Sequence, residues 1–253
     1  MKLGPFYAIW ATLAIASVNI QAQQRSEGIS WRGILKHRAA WYGSQEAIRI
    51  ADNALMYQHE NGGWSKNIDR ARVLDECGKV KVAEERKTAR STIDKSATVT
   101  QLNYLARVYR ARDRDRFKDG ILRGIDYLLD APYENGGWPQ YFPSRKGYYQ
   151  HITYNDDAMI GVMRVLRDVV QERQPYAFID QSHRNRAATA IHKGLDIILQ
   201  AQITVGGRLT AWRAEHAHKT LEPAKKDRAY ELPSISGGQS AGIVLYLNGN
   251  TPS

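Results

Sequence analysis

Acidic residues that precede apolar helical stretches are the first candidates for chemistry in this chain. Asp94, Asp156 and Asp157 each lie after a short polar phrase and before a run of apolar residues with helical spacing. A single aspartate at such a place is explained by helix capping, which stabilises by about 1 kcal/mol. Asn155 already offers a cap in the second phrase, so capping does not account for its two aspartates. Several carboxylates that converge from repeated units form an oxygen-rich site of the kind that Ca²⁺ prefers.

Arginines crowd the third polar loop, at Arg208, Arg213 and Arg228. A guanidinium stays protonated and binds carboxylate or phosphate through its planar fork. Aromatic residues flank these charges, and rings beside acids and arginines suit sugar faces. Rings also suit core packing, which we expect for at least half of them. The rings are those of Trp64, Trp138, Tyr141, Tyr154, Trp212 and Tyr230.

The sequence gives little support for a zinc site or for catalysis by a serine or cysteine nucleophile. Only His216 and His218 of the seven histidines lie close in sequence, and they lack a companion at metal-site spacing. No histidine lies in a serine or cysteine triad phrase. The one cysteine, Cys77, lies in a charged stretch with no histidine nearby, which predicts an ordinary surface thiol.

A repeated phrase predicts the elements that position these residues. Asn61-Gly62-Gly63-Trp64 recurs as Asn135-Gly136-Gly137-Trp138, with a degenerate echo in Val205-Gly206-Gly207-Arg208. Each phrase follows an apolar stretch with helical spacing, and glycine after such a stretch commonly ends a helix. The chain is therefore predicted to use one supersecondary unit three times.

The spacing predicts six helices. The odd ones span about 45–59, 117–130 and 182–202, and the even ones begin after capping side chains near residues 94, 156 and 236. Little β structure is expected, because no segment alternates between apolar and polar residues. Three helical pairs form an all-α (α/α)3 toroid, complete or incompletely closed, with the polar loops gathered at one end. That end would hold Lys66, Asn67, Asp69, Asp94, Asp156, Asp157, Arg213 and Arg228.

The net charge of the chain indicates what kind of partner it binds, and its N-terminal residues indicate where it acts. The 253 residues include 36 Lys and Arg against 26 Asp and Glu, a net charge of +10, which indicates a polyanionic partner. Residues 1–22 have the pattern of a secretory signal, which predicts a secreted or periplasmic domain over 23–253. The apolar run in this signal is too short for a membrane span, and no later stretch is long enough. Export and scattered cations argue against nucleic acid.

Several long phrases resemble, in order, polysaccharide lyase family 10 pectate lyases. Phrases in sequence are far more specific than one short motif, and these run from about Trp31 to Leu247. They are Asn61–Asp69, Ser91–Thr98, Asn135–Gln140, His151–Met159 and Arg228–Gly237. The resemblance implies an (α/α)3 toroid, an exported enzyme, polygalacturonate as substrate, Ca²⁺ as helper ion, and β-elimination.

The resemblance also implies roles for individual residues. Arg228 matches the base, and Asp94 and Asp156 match the ligands of a substrate-bridging Ca²⁺ ion. An arginine base is unusual, because a guanidinium is nearly always charged, so nearby calcium and cations would have to favour its neutral form. The residues expected to bind substrate are Lys66, Asn67, Arg213 and Tyr230.

The chain departs from the pattern of the family at several positions. Lys95 and Ser96 stand where Asn or Gly and then Gly are usual, Ser65 stands where Pro is common, and Gln239 stands where Glu is common. Members of the family continue well beyond the position of Ser253. The chain is therefore expected to be a C-terminally truncated member.

Two other functions use the same residues. A non-catalytic binder of acidic polysaccharide would keep the groove and the charge without turnover. A helical-toroid glycoside hydrolase would use Asp94 and Asp156 as acid and base across the bond. Unsaturated uronides absorb in the ultraviolet and form only in the lyase reaction, so absorbance separates the lyase from the other two functions. We expect a monomer.

Overall fold

The computed structural model describes residues 29–88, 90–224 and 234–249, which are mostly helical, as predicted. The α-helices of this part are α1 (Gln45–Met56), α2 (Glu76–Thr88), α3 (Val99–Ala111), α4 (Asp115–Asp130), α5 (Ala158–Val170), α6 (Gln181–Gln200) and α7 (Gly237–Leu247). Short 3₁₀ segments occupy Trp31–Lys36, Ala39–Gly43, Asp94–Ser96, Gly147–Gln150 and Asn155–Asp157. The predicted signal peptide, residues 1–22, lies outside the described residues.

The helices form two rows. In the first row α4 contacts α1 and α6, and in the second row α5 contacts α3 and α7. Between the rows, α3 packs on both α1 and α4, and α5 packs on α6. Buried side chains surround most of α5, because this helix has neighbours in both rows. The arrangement confirms the predicted all-α toroid of helical hairpins. None of the helices in the described part has the length and apolar character needed to cross a membrane.

Helix α2 was not predicted and lies within what we expected to be a polar loop. Only Val82 of this helix is buried, so its sequence lacks the apolar stripe that marks the other helices. Pairs three residues apart support it instead, with Lys79 Nζ 2.6 Å from Glu76 Oε1 and Lys87 Nζ 2.7 Å from Glu84 Oε1. The thiol of Cys77 is exposed, as predicted.

The glycine phrases close turns and do not end helices. Helices α1 and α4 end several residues before their glycines. The Gly62 N–H donates to the His59 carbonyl at 3.0 Å, and the Gly136 N–H donates to the Tyr133 carbonyl at 2.8 Å. Both glycines have a positive φ, at +85° and +92°. The prediction of a helix stop is therefore wrong, although the need for glycine is real.

A buried tryptophan identifies each repeat. The indole N–H groups of Trp64, Trp138 and Trp212 donate to carbonyls near the ends of α1, α4 and α6, at 2.7, 2.8 and 2.7 Å. Trp212 is therefore the third member of the set. The prediction that the echo, Val205-Gly206-Gly207-Arg208, is the third copy of the phrase is wrong. The glycines of that echo form the tip of a hairpin of β2 (Thr204–Val205) and β3 (Arg208–Leu209), which is inserted before Trp212.

Short extended segments join the repeats at one end of the molecule. Strand β1 (Ile152–Thr153) pairs antiparallel with β4 (Glu215–His216), so that Ile152 opposes His216. Isolated bridges join Thr92 to Tyr141, Pro139 to Ile152 and His216 to Pro223. The polar loops therefore lie at one end, and β structure is sparse in the described part of the chain, as predicted.

Gly62→Ala should destabilise the protein by about 2–4 kcal/mol, because strain at positive φ adds to an overlap with backbone. A Cβ atom at Gly62 would collide with the carbonyl of Arg123. Gly206→Ala is the matched control, since Gly206 also has a positive φ, +57°, but open space around it. Urea unfolding would measure both losses, and equal losses would contradict the role of the close approach.

Candidate functional site

Two tight corners before α3 and α5 carry the predicted acidic residues. The first corner is the segment Asp94–Ser96, and the second is Asn155–Asp157. Lys95 and Asp156 lie at the centre of each corner, with φ of 50° in both. The two corners contact each other. The structure therefore brings the two predicted acidic segments side by side at the polar end.

The matching backbone shows that Asp94 corresponds to Asn155. The residues before Asp94 and before Asn155 have φ of −99° and −95° and ψ of −5° and −10°. The residue after Asp94 is Lys95 and the residue after Asn155 is Asp156, and both have a left-handed backbone conformation. Asp94 and Asp156, the two ligands that the resemblance implies for one ion, are therefore not equivalent positions, because Asp156 lies one residue later in its corner than Asp94 does in the other.

The capping prediction is also wrong. The N-cap residues of α3, α5 and α7 are Thr98, Asp157 and Ser236, and none of their side chains makes a cap hydrogen bond. The Thr98 hydroxyl instead accepts from the Trp64 N–H at 3.1 Å and donates to the Thr92 carbonyl at 3.0 Å. This threonine therefore connects the first corner to the buried tryptophan of its repeat.

An ion pair lies at the base of the first corner. Lys66 Nζ donates to Asp94 Oδ2, and Asp94 is only 3% exposed while the Lys66 side chain is 25% exposed. The other carboxylate oxygen, Asp94 Oδ1, is buried and accepts no hydrogen bond from the residues that the structure describes. An uncompensated buried oxygen is costly, so this atom is suited to a cation or to a donor on a ligand.

Lys66 is held in its charged form. Burial alone would lower its pKa, but the hydrogen bond and the charge of Asp94, together with Tyr141, raise the pKa of Lys66 above its ordinary value. Its Nζ atom also lies 5.7 Å from the centre of the Tyr141 ring. An ammonium in this position offers a fixed positive charge to an anionic ligand.

Arg70 supports the Lys66 loop from inside and was not foreseen from the sequence. Its guanidinium donates to the carbonyl of Ser65 at 2.7 Å and to that of Ile68 at 3.0 Å, and it lies 5.5 Å from the Trp31 ring centre. Burial lowers the pKa of Arg70 to about 10, so it remains charged at neutral pH. No apolar periodicity surrounds this residue in sequence, so nothing distinguished it from the surface arginines.

A cleft of about 470 Å³ opens beside the ion pair. Its walls come from residues 30–32, 65–70, 95–97, 100 and 101. Asn67 is exposed at its edge with φ of 61°, and Lys66 and Lys95 both contribute to its lining. The cleft therefore offers cations and an amide to a ligand, which fits an anionic sugar.

Arg213 lies just before β4, next to Ala214, whose carbonyl accepts from the N–H groups of Tyr154 and Asn155. It is only 2% exposed, and its backbone N–H donates to His216 Nε2 at 3.1 Å. Because that nitrogen accepts, His216 Nδ1 donates to the Leu221 carbonyl, 2.8 Å away, and the imidazole is neutral. The expected contact between Arg213 and substrate stays a prediction.

The predicted base and one predicted substrate ligand, Arg228 and Tyr230, lie outside the described residues. The chain on either side of them returns to the polar end. The Ala224 N–H donates to the Glu215 carbonyl at 3.0 Å, and the Ser236 N–H donates to the Trp212 carbonyl at 2.9 Å. Ala224 and Ser236 therefore both lie at the end of the molecule that holds the corners.

Two of the described carboxylates bear on whether the predicted calcium ion fits this end of the molecule. Asp94 presents one open buried oxygen, and the exposed Asp156 lies on the adjoining corner. Within the described residues no group of three or more His, Cys, Asp or Glu is placed to hold a metal ion. Since Ca²⁺ takes six to eight oxygen ligands, these two carboxylates could hold the ion only together with oxygen ligands from other sources, and the calcium site stays a prediction.

Residues 58–253 match the family Pec_lyase, described as pectic acid lyase. The chain belongs to the pectic acid lyase family. The predicted resemblance to family 10 polysaccharide lyases is therefore confirmed, since two solved structures of that family are similar to this chain. No curated protein matches it.

Two structural relatives of this pectic acid lyase family member come from Cellvibrio cellulosa. One is a Family 10 polysaccharide lyase with 34% identity and a TM-score of 0.72, covering 86% of this chain. The other is a mutant Family 10 polysaccharide lyase in complex with trigalacturonic acid, with 36% identity and a TM-score of 0.72, covering 81% of this chain. The present chain spans 62% of the length of each.

Proposed function

We propose that this protein is a pectate lyase, which cleaves polygalacturonate by calcium-assisted β-elimination. The observation that carries the proposal is the open buried oxygen of Asp94, paired through its other oxygen with charged Lys66 beside a cleft. Membership of the pectic acid lyase family and the relative in complex with trigalacturonic acid support the choice of substrate.

The charges of the protein favour an acidic polymer. The net charge of +10 attracts a polyanion over a distance, and Lys66 and Lys95 in the cleft lining bind individual carboxylates. Asn67 supplies an amide that can donate to a sugar hydroxyl and accept from it. These residues would position a uronate unit with its carboxylate toward the Asp94 corner.

The reaction needs a proton to leave C5 of the uronate, the C4–O4 bond to break, and a C4–C5 double bond to form. We propose that Arg228 is the base that accepts this proton, and its side chain would have to start as a neutral guanidine. Lys66 would stabilise the negative charge that develops on the carboxylate of the substrate. Calcium bound by Asp94 and Asp156 would neutralise that carboxylate further. The departing O4 atom takes a proton from solvent.

Chelation should abolish the activity. We expect the protein to convert polygalacturonate into products that absorb in the ultraviolet, with loss of the signal in EDTA and recovery when Ca²⁺ is restored in excess. The physical reason is that two protein carboxylates are too few to hold the ion without substrate, so its binding remains reversible. Full activity in EDTA would exclude the assignment of calcium.

Viscosity and gel retardation, measured beside ultraviolet absorbance, separate the other two functions considered from the sequence. A glycoside hydrolase would shorten the polymer, with a fall in viscosity, but would leave no unsaturated product. A non-catalytic binder would migrate more slowly in a gel that contains polygalacturonate, and it would change neither the ultraviolet absorbance nor the viscosity. Either pattern would replace the lyase proposal.

A further inference from the structure

A second cavity, of about 510 Å³, lies apart from the cleft that contains Lys66. Three of its lining residues are cations, and the other lining residues are uncharged. The full lining is Arg90, Phe142, Pro143, Ser144, Arg145 and Lys146. Arg90 and Lys146 are exposed, so their charges are available to a ligand. We call this cavity the Arg145 cavity.

A shared aromatic ring connects the Arg145 cavity to the predicted active site. The Arg145 guanidinium lies 5.1 Å from the centre of the Tyr141 ring, and Lys66 Nζ lies 5.7 Å from the same centre. Arg145 also lies 4.4 Å from the centre of the Tyr149 ring. Because one ring neighbours both cations, the two positive charges lie within reach of a single oligosaccharide.

A hydrogen bond forms a second connection between the two cavities. The Ser65 hydroxyl donates to the carbonyl of Arg90 at 3.2 Å. Ser65 directly precedes Lys66 and lines the first cleft, whereas Arg90 lines the Arg145 cavity. The walls of the two cavities are therefore joined on this side as well as through Tyr141.

The loop that carries Arg145 is held in place at several points. Asn61 Nδ2 donates to the Phe142 carbonyl at 3.1 Å. The Tyr133 hydroxyl donates to the Gln150 carbonyl at 2.7 Å and lies 3.0 Å from Ser144 Oγ. A loop tied at both ends loses little further freedom when a ligand binds, which favours a preformed site.

We propose that the Arg145 cavity is an additional subsite for a uronate unit of the same polysaccharide chain that occupies the Lys66 cleft. The guanidinium of Arg145 binds the sugar carboxylate, and the exposed side chains of Arg90 and Lys146 add electrostatic attraction. This assignment rests on the proposed function for the identity of the polymer. Its effect is on affinity, because the subsite is separate from the reacting bond.

The test compares Arg145→Gln with the wild type in calorimetric binding of polygalacturonate and in steady-state kinetics. We expect Arg145→Gln to weaken binding and raise KM by about fivefold with kcat unchanged, as for the loss of one partly exposed ion pair. The difference should shrink at high salt, because the lost contact is ionic. Arg145→Lys should recover part of the affinity, since it keeps the charge but loses the fork.

Arg114→Gln is the matched control. It removes the same charge from an exposed position beyond the far end of α3, and it should leave binding and KM unchanged. Arg90→Gln combined with Lys146→Gln tests the cavity even where Arg145→Gln fails to fold, because both side chains are exposed. That double variant should weaken binding about as much as Arg145→Gln.

The two proposals fail in different ways. A wild type that neither binds nor cleaves polygalacturonate would overturn the proposed function and this subsite with it. A wild type that does both, with Arg145→Gln or the double variant indistinguishable from Arg114→Gln, would overturn the subsite alone. A fall in kcat at unchanged KM would also overturn it, since that would place Arg145 at the reacting bond.

Discussion

Asp94→Ala is expected to lower the turnover of polygalacturonate by at least about 100-fold, the size of effect seen when one preorganised charged group is removed from an active site. The substitution removes the open buried oxygen and leaves Lys66 without its carboxylate partner. The loss of stability should be about 1–2 kcal/mol, because the Lys66 side chain retains access to water. Initial rates in the ultraviolet and thermal unfolding measure the two effects.

Two further variants test whether the charge of Asp94 is the cause of the expected loss of turnover. Asp94→Asn keeps the shape of the side chain but removes its charge, and we expect nearly the same loss of turnover. Asp196→Asn removes a charge from an exposed position on α6 and should change neither rate nor stability. Normal turnover in Asp94→Asn would contradict a charged role for Asp94.

Arg228→Lys should reduce turnover by at least about 1,000-fold while polygalacturonate still binds, if Arg228 takes the C5 proton. A general base contributes about 100-fold to 10,000-fold, and lysine differs from arginine in reach, geometry and proton affinity while keeping the charge. If Arg228 only binds a carboxylate, the lysine variant should keep much of its turnover and lose mainly affinity. Calorimetric binding beside kcat distinguishes the two roles.

Arg173→Lys is the matched control for this substitution. Arg173 is an exposed arginine just after α5, and its replacement should leave kcat unchanged. Near-normal turnover in Arg228→Ala would end the assignment of the base. Arg213 would then be the next residue to test.

Periodicity in the sequence predicted the helices that carry an apolar stripe. It missed α2, because that helix buries only Val82 and depends on pairs of charged side chains. The glycine pattern located the turns but not the helix ends. The structural reason is that Gly62 and Gly136 are required by positive φ and by a close backbone approach from another helix, which a local pattern does not reveal.

The sequence predicted that the two acidic segments lie at one end of the molecule, but it did not predict their register or their contacts. The Lys66–Asp94 pair joins segments 28 residues apart, and no local pattern indicates such a contact. The equivalence of Asp94 with Asn155 depends on left-handed residues at Lys95 and Asp156, a conformation that their side chains do not signal. Arg70 was overlooked for a related reason, since its burial is set by tertiary packing.

The two corners have a consequence for how a duplicated unit diverges. Their backbone dihedral angles match, and each corner lies in a repeat whose buried tryptophan donates to a helix carbonyl. Lys95 and Asp156, at the matching exposed positions, carry opposite charges. Internal duplication of this kind provides copies of one rigid frame whose outward side chains face no packing demand. A change of sign at one copy can therefore alter ligand preference while the ancestral architecture persists.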